Sequence, residues 1–226
     1  MKRGMLMKKS IMLSVVAVIV ESLLVFVGDG RLAAAKSPDV NEPTQVNFTH
    51  NGKTVHGLLR GKGVYGVVLS HGAVYDAASW TPLAREIAQN GMVALALEEV
   101  EPDDLLAANS YLREKYGVKA VALIGASAGG STAITAMARS PRKWDQLILL
   151  SSTGDVSGLG PAPKLFVASE DEGIADAVRR MAKEAQGKRN EALIFKGSAH
   201  AQAIFRVPEG LRLTSAILQR LINRAK

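Results

Sequence analysis

The five residues Gly125–Gly129 have the sequence Gly-Ala-Ser-Ala-Gly, which places Ser127 at the spacing Gly-x-Ser-x-Gly. The apolar stretch before them predicts a buried strand over 121–125, and the small residues after them predict a helix over 128–139. A serine on such a tight strand-to-helix turn points away from the sheet, where unpaired N–H groups of the helix face developing negative charge. We therefore predict that Ser127 is a nucleophile; the structural alternative is a serine that only caps the helix.

A serine nucleophile needs a base, and the chain contains four histidines, His50, His56, His71 and His200. The first two fall in a predicted edge hairpin, far from the ends of the central strands. His71 and His200 both follow predicted central strands, but only His200 comes after the serine, as the order serine, acid, histidine requires. We predict His200 as the base, with activity that rises with pH through about 6–7.

The base needs an orienting carboxylate, and three consecutive acids follow the predicted strand over 165–168. Asp171 and Glu172 both fall in the turn after this strand. If the strand ended one residue earlier or later, Asp171 and Glu172 would exchange places in the turn. The residues themselves therefore do not decide which of the two orients the base. The unchosen acids are then ordinary charges near a helix N-terminus.

From Val46 onward, apolar segments alternate with amphipathic ones, and Asn51-Gly52 between two strand candidates is a strong hairpin signal. The predicted strands are 46–49, 54–60, 65–70, 92–97, 121–125, 147–150, 165–168 and 192–195, and the predicted helices are 80–90, 103–116, 128–139, 174–185 and 209–225. This alternation predicts a three-layer α/β fold with a mainly parallel sheet and an antiparallel edge.

These residues together resemble the α/β-hydrolase superfamily, in particular its compact dienelactone-hydrolase-like and small serine esterase members. The resemblance extends from about Val55 to the C-terminus. It depends on His71-Gly72, the Gly125–Gly129 turn, the strand Pro163–Ala168 before the acids, and Gly197–His200. It implies the α/β-hydrolase fold.

The resemblance also implies roles for further residues. In that family the acid commonly falls on the position of Glu172, counted from the proline, although aspartate is more usual there. The oxyanion hole would use the backbone N–H groups of Ala73 and Ala128, and His71 would shape the loop. The dienelactone hydrolases use a cysteine nucleophile and this chain has no cysteine, so the implied reaction is hydrolysis of an ester or thioester.

The connection Ser151–Lys164 is 14 residues rich in Gly, Ser and Pro. Many hydrolases of this fold insert a cap domain here, so we predict an uncapped, open site for a small acyl substrate. Val74 and Tyr75 are predicted to line one wall. The alternatives are a serine peptidase, an acyltransferase, or a protein of this fold that binds ligands without turnover.

The amino-acid composition limits the classes of ligand and binding partner to be expected for this protein. The absence of cysteine among the 226 residues excludes disulfides and thiolate metal sites. The formal net charge is +7, but the basic residues are scattered and no nucleic-acid motif is present. We predict a small-molecule substrate, no cofactor, no metal, no nucleic acid and no membrane partner apart from an N-terminal export segment.

Residues 1–35 have a basic start, an apolar middle and a small-residue exit at Ala33–Ala35. This pattern predicts a secretory signal peptide that is cleaved after Ala35. An uncleaved membrane anchor is the alternative, although Glu21 within the apolar run would be costly at the bilayer centre. We predict an extended leader over 36–45, the hydrolase domain over 46–226, and export to the periplasm or the exterior.

Overall fold

A computed structural model describes residues 42–225 of the chain. The predicted signal peptide, residues 1–35, and residues 36–41 of the predicted leader lie outside this range, so both stay predictions. Within residues 42–225, none of the helices has the length and apolar character needed to cross a membrane.

Within the described part of the chain, eight strands form one sheet in the order β1-β2-β4-β3-β5-β6-β7-β8. The strands are β1 (Thr44–His50), β2 (Lys53–Arg60), β3 (Tyr65–Ser70), β4 (Val93–Leu97), β5 (Ala120–Ala126), β6 (Gln146–Leu150), β7 (Lys164–Ser169) and β8 (Glu191–Phe195). Strand β2 is antiparallel to β1 and β4, and the other neighbours are parallel. Strands β3, β4, β6 and β7 are buried at every residue, and for this reason their central residues are apolar without alternation.

Five α-helices within residues 42–225 cover the two faces of the sheet. They are α1 (Thr81–Gln89), α2 (Pro102–Tyr116), α3 (Ala128–Arg139), α4 (Ala175–Glu184) and α5 (Gly210–Ala225). Helices α2, α3 and α4 contribute Leu112, Met137 and Val178 to the core on one face. Helices α1 and α5 contribute Ile87 and Ile217 to the core on the other face. The predicted three-layer architecture is therefore confirmed.

The antiparallel edge starts with the hairpin between β1 and β2. Asn51 and Gly52 have φ angles of 49° and 79°, and two consecutive positive φ angles are what a type I′ turn requires. His50 pairs with Lys53 across this turn. The predicted hairpin is present, and it extends the sheet beyond its parallel part.

Six parallel strands, β3 to β8, end at the same edge of the sheet. The connection between β6 and β7, residues 151–163, contains turns and bends but no helix or strand, so no cap domain is inserted there. The loops that follow these strands carry the residues singled out from the sequence.

Candidate active site

Ser127 lies between the end of β5 and the start of α3. Its φ and ψ angles are 49° and −118°, a conformation that few residues other than glycine adopt. The neighbouring strand holds this turn, because the backbone N–H of Ser127 donates to Leu150 O at 2.9 Å. The carbonyl oxygen of Ser127 accepts from the N–H groups of Gly130 and Ser131 and so begins the helix. The hydroxyl is thereby directed away from the sheet at the N-terminus of α3.

His200 reaches this hydroxyl from the loop after β8. Its Nε2 lies 2.8 Å from Ser127 Oγ, although 73 residues separate the two along the chain. The imidazole side chain is 54% exposed. Water can therefore reach the histidine from the open side of the site.

Glu172 lies on the other side of the imidazole. Its Oε1 is 3.3 Å from His200 Nδ1, and its side chain is only 3% exposed. A short 3-10 turn over Glu170–Glu172 directs the carboxylate inward, and the backbone N–H of Ser169 donates to Glu172 Oε2 at 3.0 Å. Asp171, the other candidate acid, is exposed, and its backbone N–H donates to Gly197 O at 2.9 Å. Of the two acids left open by the sequence, Glu172 is the one that approaches His200.

The two residues predicted to form an oxyanion hole, Ala73 and Ala128, lie in the loop after β3 and at the first position of α3. Within residues 42–225, the N–H groups of Ala73 and Ala128 have no hydrogen-bond acceptor, and both residues are exposed. The loop that carries Ala73 passes close to the serine, since a methyl group on Gly72 would lie 3.4 Å from Ser127 Cβ. Both N–H groups are therefore free to donate to a ligand.

The remaining histidines take no part in this cluster. The ring nitrogens of His71 lie 2.8 Å from Gly72 O and 3.0 Å from Glu98 O, so its ring fixes the loop after β3. His56 Nδ1 lies 2.7 Å from Glu99 Oε1 at the antiparallel edge, and His50 belongs to β1. Within residues 42–225, no group of three or more His, Asp or Glu side chains is arranged to hold a metal ion.

The structure adds Gln202, which the sequence reasoning missed. Its side chain is buried two residues after His200. Gln202 Oε1 accepts from the backbone N–H of Gly72 at 2.9 Å, and Nε2 donates to Ser79 Oγ. The glutamine therefore ties the loop of the histidine to the loop of Ala73. An amide side chain two residues after the candidate base was the only signal in the sequence, and its partner 130 residues away could not be inferred from it.

The structure also adds Ser151, the first residue after β6, whose hydroxyl donates to Glu172 Oε1 at 2.7 Å. A polar residue directly after a buried strand was the only sign of it in the sequence. Its contacts could not be inferred, because they depend on the strand order β6-β7-β8.

The two predicted substrate-binding residues have different surroundings. Val74 is 89% exposed. Tyr75 lines a cavity of about 290 Å³ together with Trp80, Gln202 and Phe205, and Arg206 lies over the tyrosine ring at 5.6 Å. A larger cavity of about 810 Å³ lies between α1 and α5, and its lining contains none of the residues that surround Ser127.

No family model matches the sequence, and a search of curated proteins finds no match. Solved structures are similar in fold. A thermophilic carboxylesterase cloned from a metagenomic library has a TM-score of 0.70 at 15% identity, with 85% of this chain and 92% of that chain covered. A dienelactone hydrolase from Anabaena variabilis has a TM-score of 0.66 at 18% identity, with 80% and 96% covered. The epoxide hydrolase VrEH1 from Vigna radiata has a TM-score of 0.62 at 12% identity, with 80% and 98% covered.

The names of these neighbours cover more than one reaction, so the likeness identifies an architecture and leaves the chemistry to the side chains. Within residues 42–225 the sheet has eight mostly parallel strands with helices on both faces, and the TM-scores show that this arrangement is shared. The chain has the α/β-hydrolase fold.

Proposed function

We propose that this protein is a serine hydrolase that cleaves an ester or thioester of a small acyl substrate. One observation carries the proposal: contacts run from Ser127 Oγ to His200 Nε2 at 2.8 Å and from His200 Nδ1 to Glu172 Oε1 at 3.3 Å. In this arrangement the serine attacks, the histidine accepts its proton, and the carboxylate orients the imidazole and stabilises its charged form.

The proposed reaction proceeds through an acyl-enzyme. Ser127 Oγ attacks the carbonyl carbon while its proton moves to His200 Nε2, and the carbonyl oxygen becomes an oxyanion. The bond to the leaving oxygen or sulfur then breaks, and the imidazolium returns the proton to the leaving group. A water molecule, deprotonated by the same histidine, attacks the acyl-enzyme and releases the carboxylic acid and Ser127.

The oxyanion would be stabilised by the backbone N–H groups of Ala73 and Ala128. Both donors are fixed before the substrate arrives, one by the loop after β3 and one by the first turn of α3. Donors held in place in this way are worth about 3 kcal/mol each in the transition state. They would assist attack on any carbonyl, so they do not choose among esters, thioesters and amides.

Two features favour a small substrate and transfer of the acyl group to water. The connection over 151–163 has no inserted helices, and His200 is half-exposed, so water has an open path to the acyl-enzyme.

The similar solved structures add support for esters as the substrate class, since they include a carboxylesterase and a dienelactone hydrolase. A peptidase or an acyltransferase would use the same three side chains. A panel of nitrophenyl esters, acyl thioesters, peptides and alcohol acceptors separates these reactions, and we expect turnover of short-chain esters or thioesters without an added acceptor.

The decisive experiment is labelling of the full chain with a fluorophosphonate probe, combined with ester hydrolysis. We expect wild type to be labelled and Ser127→Ala to be unlabelled, with kcat reduced by at least about 10⁴-fold. Ser131→Ala serves as the matched control, because Ser131 is exposed on α3 four residues later. Folded Ser127→Ala protein that hydrolyses esters at the wild-type rate would refute the mechanism.

We also propose that the protein is exported. The support is the pattern of residues 1–35, with a basic start, an apolar middle and a small-residue exit. N-terminal sequencing of the protein recovered outside the cytoplasm should give Lys36 as the first residue. A chain that begins at Met1 and stays with the membrane would instead favour the uncleaved anchor.

A further inference from the structure

Ser151 uses its hydroxyl group for two contacts at the centre of the candidate site. The hydroxyl donates to the Glu172 carboxylate, at 2.7 Å from Oε1 and 3.0 Å from Oε2. The same oxygen accepts from the backbone N–H of Ala201 at 2.8 Å. Ser151 is only 4% exposed, so water does not substitute for either partner.

These two contacts hold the acid that faces the imidazole and the backbone next to the imidazole. Glu172 provides the carboxylate that faces His200 Nδ1, and Ala201 directly follows His200 along the chain. One hydroxyl therefore joins the acid on the loop after β7 to the backbone that carries the base after β8. Because a hydroxyl has one hydrogen and two lone pairs, it satisfies both contacts at once.

The distances assign the stronger hold on the carboxylate to Ser151. Glu172 Oε1 lies 2.7 Å from Ser151 Oγ but 3.3 Å from His200 Nδ1, and hydrogen bonds to a charged acceptor are strongest at the shorter distance. Glu172 Oε2 is held separately by the backbone N–H of Ser169 at 3.0 Å. Without the hydroxyl, Oε1 would keep only the more distant imidazole.

We infer that Ser151 is a positioning residue that orients Glu172 and, through it, His200. The inference rests on the proposed function. Ser151 has a φ angle of 50°, which a glycine would adopt without strain. A side chain at this position is therefore unfavourable for the backbone conformation, and the hydroxyl contacts contribute to offsetting that cost.

The backbone angle supplies a useful pair of variants. Ser151→Ala removes the hydroxyl and keeps the strain, whereas Ser151→Gly removes the hydroxyl and relieves it. The two variants should differ in thermal stability, yet lose the same contacts to Glu172 and Ala201. A loss of kcat that is the same in both variants is then caused by removal of the hydroxyl and not by a change in thermal stability. Thr135→Ala, which removes an exposed hydroxyl from α3, is the control.

We expect Ser151→Ala and Ser151→Gly in the full chain to lower kcat for ester hydrolysis by about 10- to 100-fold, the usual worth of a hydrogen bond to a charged group. KM should change less than about twofold, because Ser151 does not face the substrate. The second readout is a double-mutant cycle with Glu172→Ala. If Ser151 acts through the carboxylate, adding Ser151→Ala to Glu172→Ala should lower kcat less than about twofold further.

Two results would overturn the inference while leaving the proposed function intact. One is wild-type kcat in both Ser151 variants while Glu172→Ala is strongly impaired. The other is an equal loss from Ser151→Ala with and without Glu172, which would mean a general structural role. If Ser127→Ala itself keeps full activity, the proposed function fails and the inference fails with it.

Discussion

Gly129, the second residue of α3, lies directly against the backbone that leaves β3. A methyl group at this position would overlap His71 O and would lie 2.5 Å from Ser70 O and 2.7 Å from Ser70 C. All three atoms belong to the backbone, so no side-chain rotation can make room. The backbone that leads into the Ala73 loop would have to move by about 1 Å to restore ordinary contact.

The expected magnitude follows from two opposing effects of Gly129→Ala. Overpacking of this kind costs typically about 1–3 kcal/mol of unfolding free energy, while alanine is better than glycine within a helix by about 1 kcal/mol. The net loss of stability is therefore modest, at most about 2 kcal/mol. The displacement acts on the loop beside Ser127, where a shift of about 1 Å can lower the rate by about 10²-fold.

The assay compares ester-hydrolysis kcat and thermal unfolding for Gly129→Ala and for Gly158→Ala. Gly158 is an exposed loop residue whose added methyl would meet its nearest neighbour, Ala138 Cβ, at an ordinary 3.5 Å. We expect Gly129→Ala to remain folded with kcat reduced by about 10²-fold, and Gly158→Ala to match wild type in both measurements. Wild-type kcat in Gly129→Ala would refute the reasoning that the close approach of Gly129 to the backbone after β3 positions the Ala73 loop.

Three further predictions concern other parts of the molecule. Glu172→Gln should lower kcat by up to about 10⁴-fold, whereas Asp171→Asn, on an exposed neighbour, should stay within about twofold of wild type; the reverse order in the same ester assay would favour Asp171 as the acid. Gln202→Leu should lower kcat by about tenfold and the free energy of unfolding by about 1–3 kcal/mol, measured by denaturant titration, because the buried Gly72 N–H loses its acceptor; unchanged kcat would exclude a role for this contact. Burial lowers the pKa of Lys164 from 10.5 to about 8, so between these values the unfolded chain binds a proton that the folded chain does not. The free energy of unfolding of wild type, relative to that of Lys164→Met, should therefore rise by at most about 3 kcal/mol as the pH rises across about 8–10.5. Denaturant titrations at several pH values measure this difference. A difference that falls as the pH rises would contradict the lowered pKa of Lys164.

The fold could be predicted from the sequence because each strand, turn and helix is indicated by residues within one short segment of the chain. The positive φ angles at Asn51 and Gly52 form the predicted hairpin. The apolar segment over 65–70 became β3 with the same bounds, since a strand buried on both faces leaves an unmistakable run of apolar residues. The predicted helix over 80–90 is shorter, because Ala77–Trp80 forms a 3-10 turn and the α-helix begins at Thr81.

Only some residues of the candidate site could be predicted from the sequence, for a physical reason. Ser127 follows β5 directly and His200 lies in the loop after β8, so parallel pairing brings both to the same edge of the sheet. The choice between Asp171 and Glu172 depends on the turn over Glu170–Glu172, in which the Ser169 N–H binds the third side chain and not the second. The Ser151 contacts depend on which strands are neighbours, and that information is not local.

Backbone strain in the described residues is concentrated at the candidate site. Four residues other than glycine have positive φ angles within 42–225: Asn51, Ser127, Ser151 and Ala201. Asn51 lies in the hairpin turn, where asparagine tolerates this conformation. The other three are the proposed nucleophile, the serine that holds the acid, and the residue after the base. Each costs of order 1–3 kcal/mol unless the surroundings compensate.

Hydrogen bonds from each strained residue supply that compensation, and all of them bind to a neighbouring strand or loop. Ser127 N donates to Leu150 O, Ser151 N donates to Val167 O at 2.7 Å, and Ala201 N donates to Ser151 Oγ. Each acceptor lies on the next strand of the sheet or on a loop that follows one, so the sheet holds three unfavourable turns in a fixed relation. These three turns position the hydroxyl, the imidazole and the carboxylate of the candidate site. The strain therefore lies where the proposed function needs a fixed alignment of side chains.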